Sequence, residues 1–138
     1  MPTVSTTYFR QQLSTGNINL SGDTFFVSLM NNYVNSSSIN SLKSVSAWNQ
    51  ISAFEVSGNG YSSSALSNKT VSASTDGTII QWDASDLTWS NVTISPWGLS
   101  IRKNNNVVVG FIDFGSEQDA INGNLTVQFN TLGIGNII

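Results

Sequence analysis

The sequence predicts an all-β fold, an antiparallel β-sandwich of jelly-roll or immunoglobulin-like type with one short N-terminal helix. Three observations carry that prediction. Short apolar or alternating runs recur along the chain with Gly, Asn, Asp and Ser turn signals between them, as in antiparallel sandwiches. The most strand-like stretch pairs Pro96-Trp97-Gly98-Leu99-Ser100-Ile101-Arg102 with Val107 to Phe114 across a polar Lys103-Asn104-Asn105-Asn106 link. The chain has 138 residues, one domain by length and enough to bury a real core without staples.

In order, Ser5 to Gly16 is the one expected helix. Ser5 or Thr6 caps it, Tyr8, Phe9, Gln12 and Leu13 follow helical spacing, and Gly16 stands at the C-terminal stop. At about two and a half turns it is too short to stand alone and must pack on something. Thr24 to Met30 is β-rich and apolar on both faces, a buried strand. Asn31 to Ser46 is rich in Asn and Ser without period and reads as a long exposed loop, a candidate partner contact. A short helical turn is expected around Trp48, a short strand at Ala53 to Val56, and a turn at Ser57-Gly58-Asn59-Gly60. Tyr61 to Ser67 reads as extended surface chain.

Lys69 to Ser74 and Thr78 to Asp83 alternate around the Asp76-Gly77 pair, a hairpin signal. Asn91 to Ile94 alternates after a turn at Asp83 to Trp89. In the central hairpin Trp97, Leu99 and Ile101 share one face and Ser100 and Arg102 the other, while Val107 to Phe114 is apolar on both faces and so covered on both. Gly123 to Asn130 is the last strand, with Leu125, Val127 and Phe129 inward, and Gly133 to Ile138 ends the chain apolar. The total is roughly seven to nine short strands in a single domain.

Composition narrows the chemistry. Without cysteine there is no disulfide or thiol nucleophile, and without histidine the commonest general base and zinc ligand are missing. Charged residues are only 9% of the chain and net charge is −3, so polarity rests on Ser, Thr and Asn. Such a neutral skin costs little to desolvate against protein and gives nucleic acid no basic patch. No apolar run is long enough for a membrane span, and Met1-Pro2-Thr3-Val4 starts no signal peptide, so a cytoplasmic origin is expected.

Asp76, Asp83, Asp86 and Asp113 could serve a calcium site or a glycosidase pair, but Asp83-Ala84-Ser85-Asp86 lacks the ligand density of a calcium loop and fits turn capping better. No Gly-x-Ser-x-Gly occurs, so no catalytic, cofactor-binding or metal-binding residue is assigned and no cofactor is expected. Trp82 and Trp97 are in phase with apolar neighbours and are expected in the core. Trp48 and Trp89 lie beside loops and are expected at the surface, where they would serve a subunit interface or stack on a sugar.

The order of motifs resembles small virion structural proteins of tailed bacteriophages. The blocks are Phe9-Arg10-Gln11-Gln12-Leu13, Gly16-Asn17-Ile18-Asn19-Leu20, Glu55 to Tyr61, Leu66 to Val71, Trp82 to Ser90, Val109 to Ser116 and Gly123 to Phe129. The resemblance implies a non-enzymatic virion protein, first of all a capsid decoration or cement protein on the outer head surface. Its implied partners are the major capsid protein and copies of itself, as a dimer or trimer, with neither nucleic acid nor membrane. The alternative is a head-fibre, tail or receptor-facing module that recognises glycans or anchors fibres. Expected contact residues are Tyr8, Phe9 and Leu13 in the N-terminal arm, Trp48 and Trp89, and Ile134, Ile137 and Ile138 at the apolar end.

Overall fold

The computed structural model describes residues 3–73, 76–77, 80–104 and 106–129, and the backbone of 135–137. In chain order the strands are β1 (Thr3–Ser5), β2 (Phe25–Met30), β3 (Ser64–Ala65), β4 (Thr70–Ala73), β5 (Ile80–Asp83), β6 (Leu87–Ile94), β7 (Gly98–Lys103), β8 (Val107–Asp113), β9 (Ala120–Val127) and β10 (Gly135–Ile137). The helices are α1 (Thr7–Ser14), α2 (Tyr33–Ser36) and α3 (Ile39–Lys43), followed by single 3-10 turns at Trp48–Gln50 and Ser52–Phe54. The all-β expectation with a short N-terminal helix holds, and every strand pairing is antiparallel. The strands form three sheets: five strands in the order β1-β8-β7-β2-β3, three as β10-β5-β4, and the β6-β9 ribbon.

The five-stranded sheet has two covered faces, which is why its strands are apolar on both sides. On one face Phe25, Val27, Leu29, Leu99, Ile101, Val109 and Ile112 meet Leu87, Trp89, Val92, Ile94, Leu125 and Val127 of the ribbon and Trp82 of β5, in one core. On the other, Met30, Val108 and Phe111 meet Val34, Leu42, Val45 and Ile51. The exposed loop expected from Asn31 to Ser46 is therefore corrected: α2 and α3 form the lid over this second core. Val34 and Leu42 are the buried positions, too widely spaced among Asn and Ser to show a helical period. The strand expected at Ala53 to Val56 is also corrected. It is a 3-10 turn touching the sheet by one bridge, Met30 to Glu55.

Turn chemistry followed the sequence closely. The β7–β8 hairpin turns at Asn104, φ 48°, with Asn106 N–H bonded to Lys103 O at 2.9 Å. The β4–β5 hairpin holds Gly77 at φ 73°. Thr78 and Ile79, expected as the start of that strand, lie outside the described residues. Leu87 to Ile94 is one strand rather than a turn leading into a strand, and Asn91 at φ 54° sits where its register with β9 shifts. In β8, Ile101 opposes Gly110 while Arg102 opposes Val108, so Val109 is an extra, bulged residue. Gly110 is needed for a second reason. A Cβ there would lie 2.3 Å from Val4 O, so only glycine lets β1 lie this close.

Candidate functional site

The N-terminal arm is docked on its own domain. Buried Thr6 donates from Oγ1 to Val108 O (2.7 Å) and accepts from Phe9 N–H (3.1 Å), so one hydroxyl both caps α1 and ties it to β8. Phe9 is buried in the main core, which corrects its assignment as a partner contact, and Leu13 is half-buried against the same core. Of the three expected contacts in the arm, Tyr8 is the exposed one. At the other end Ile137 pairs through its backbone with Ile80, so that segment is a strand of this chain's own sheet. Ile134 and Ile138 lie outside the described residues.

Two of the tryptophans, Trp89 and Trp97, depart from expectation. Trp89, expected at the surface, is 5% exposed. Its Nε1 donates to Ser62 O at 2.7 Å, because β6 begins at Leu87 and places Trp89 in phase with the core. Trp82 is core as expected, edge-on to Phe25 with its Nε1 on Leu20 O at 3.0 Å. Trp97, expected in the core, is half-buried at the rim, its Nε1 on Glu117 Oε2 at 3.1 Å. Trp48 is half-buried too, with the Arg102 guanidinium 4.1 Å above its ring.

That guanidinium belongs to a polar cluster the sequence reading missed. Arg102 lies on the polar face of β7 that it shares with Ser100, yet it is 4% exposed, because the segment carrying Trp48 covers that face. Its Nη1 donates to Ser28 Oγ and its Nη2 to Ser63 Oγ (3.4 Å), and Phe26 lies 5.6 Å away on a second side. Burial lowers the Arg102 pKa, and the nearby charge of Glu55 opposes that shift. Alongside, Tyr61 Oη donates to Glu55 Oε2 (2.6 Å) and accepts the N–H of Leu29 (2.9 Å). Burial first, and then the Glu55 hydrogen bond, push the Tyr61 phenol well above its ordinary 10.0. The one sequence signal was Ser28, Ser100 and Arg102, hydroxyls and a base in phase on otherwise apolar strands. The cluster joins β2, β7 and the 48–63 segment.

Two of the aspartates bond locally, Asp83 accepting from Ala84 N–H and Asp113 from Gly115 N–H, whereas Asp86 accepts from the N–H of Phe129, 43 residues along the chain. Asp23 accepts from Asn19 N–H and pairs with Lys103 at 3.1 Å, which lowers its pKa through the Asn19 bond first. Among the described residues no three metal-ligating side chains come together.

Two surface features remain. The β4–β5 register sets Val71 opposite Trp82 and Ala73 opposite Ile80, so all four share one face. Trp82 anchors it in the core, while Val71 (45% exposed) and Ile80 (43% exposed) emerge into solvent. The second is a cleft of about 500 Å³ lined by residues 124–128 together with Phe114, Gln118 and Asp119. No family model, no curated protein and no solved structure matches the chain.

Proposed function

We propose that this chain is a non-enzymatic virion structural protein of a tailed phage, most simply a decoration or cement protein on the outside of the head. The observation that carries the reading is the Val71–Ile80 face, an apolar patch continuous with the core at Trp82 on a skin nearly free of charge. Such a surface favours lasting contact with protein, since neutral amides and hydroxyls desolvate cheaply while apolar area drives association. The resemblance to phage virion proteins supplies the context. Modest contacts repeated over a shell add up through avidity, and the major capsid protein and further copies of this chain are the partners. The glycan-reading alternative is less favoured, since Trp89 is buried in the core and the ring of half-buried Trp48 carries the Arg102 guanidinium.

Burying the exposed halves of Val71 and Ile80 is worth roughly 2 kcal/mol per copy, about 30-fold in affinity. The test is co-sedimentation with heads of the encoding phage that lack the protein. Saturable binding, and heads more resistant to heat once loaded, are expected. Failure to bind, with heads equally resistant with or without the protein, ends the proposal.

A further inference from the structure

The layer that β6 and β9 place on the five-stranded sheet is only two strands wide. β9 hydrogen-bonds to β6 along one edge, and among the described residues no other segment bonds the backbone of 124–128 along the other. Residues 124–128 of that open edge line the cleft of about 500 Å³ together with Phe114, Gln118 and Asp119. Five consecutive residues line it, an edge about 17 Å long at the usual strand rise. Leu125 and Val127 are buried there and Phe114 is half-buried, while Gln118, Asn124 and Gln128 are exposed. An apolar base, amide walls and a row of unpaired backbone groups are what strand addition requires.

Charge selects the occupant. Asp119 is the charged residue of the lining, is exposed, and has no hydrogen-bond or ion-pair partner among the described residues. From Asn104 to Ile138 the sequence holds Asp113, Glu117 and Asp119 and no Lys or Arg. We propose that this cleft accepts an extended, basic segment of a partner protein, which enters as a third strand beside β9. Main-chain bonds to 124–128 supply affinity, alternate apolar side chains lie on Leu125, Val127 and Phe114, and a Lys or Arg faces Asp119. The site is separate from the Val71–Ile80 face and does not depend on it.

The probe is a blocked hexapeptide of alternating valine and threonine flanked by lysines. Two controls accompany it, one with glutamates for the lysines and one N-methylated at alternate residues so that it cannot complete the pairing. Amide shifts and hydrogen exchange of the intact protein report the outcome. The lysine peptide is expected to shift and protect amides within 124–128, the N-methylated peptide to do neither, and the glutamate peptide to bind about tenfold more weakly. Asp119→Lys changes an exposed side chain and should leave the fold intact while weakening the lysine peptide about fivefold, the upper range for one exposed ion pair. Equal binding of the N-methylated or glutamate peptide, no response at millimolar peptide, or protection of the same amides by self-association without peptide would each overturn the proposal. None of those results bears on attachment through Val71 and Ile80.

Discussion

Removing one oxygen atom from Tyr61 tests how the 48–63 segment is held to the sheet. In Tyr61→Phe the ring stays and two hydrogen bonds go. The N–H of Leu29, on a residue with no solvent exposure, loses its 2.9 Å acceptor, and an orphaned buried donor costs about 1–3 kcal/mol. Glu55 loses a 2.6 Å charge-assisted bond, but Glu55 is half-buried and water recovers part of it, so about 1 kcal/mol is assigned there. The sum is about 2–4 kcal/mol, a large share of a typical total stability of about 5–15. With unfolding entropy near 2.1 cal/mol/K per residue over 138 residues, the expected fall in Tm is about 7–14 °C. Urea unfolding followed by tryptophan fluorescence, with an unchanged m-value, gives the same quantity independently.

The pH dependence separates this account from simple loss of packing. The folded protein holds the Tyr61 phenol protonated beyond its ordinary 10.0, through burial and then Glu55. The resulting stabilisation is complete below pH 10 and is withdrawn as pH rises toward the higher folded value. Wild type should therefore lose stability above pH 10 faster than Tyr61→Phe, and the gap between them should narrow. A variant within about 0.5 kcal/mol of wild type at neutral pH, or a gap that widens with alkali, refutes the role assigned to this hydroxyl.

Three further outcomes are expected. Val71→Glu with Ile80→Glu costs about 2 kcal/mol of folding stability, since each side chain is a little over half buried, and lowers attachment of the folded variant to heads by about 30-fold or more. Unchanged attachment in the sedimentation assay would remove this face from the interface. Gly110→Ala pushes a Cβ against Val4 O, displaces β1 and costs about 1–3 kcal/mol. Faster hydrogen exchange should appear at Val4, Ser5 and Thr6 while β2 and β7 amides stay protected, and uniform loss of protection would contradict it. Phe25→Ala removes a fully buried ring packed edge-on to Trp82 at 4.9 Å, and denaturant unfolding should show a loss of about 3–5 kcal/mol.

The strands themselves were legible because alternation is a local signal. β7 and β9 follow from side-chain phase, β2 and β8 from continuous apolar runs, and the hairpin at Asn104 and the turn at Gly77 from residues that tolerate positive φ. Thr6 as a cap and Gly16 after α1 were equally local. Low charge and the lack of cysteine and histidine likewise bound the chemistry before any coordinates. What a strand cannot announce is which distant segment covers each of its faces. Arg102 reads only as a base on the polar face of its strand, and it is the 48–63 segment closing over that face that buries it. Val34 and Leu42 read as stray apolar residues until the second face of the sheet gives them a surface to bury. Trp89 reads as a loop neighbour until the ribbon starts early enough to turn it inward. Period and turn chemistry therefore set the strands and their two faces, and only tertiary packing decided which face water reaches, because burial depends on neighbours far away along the chain.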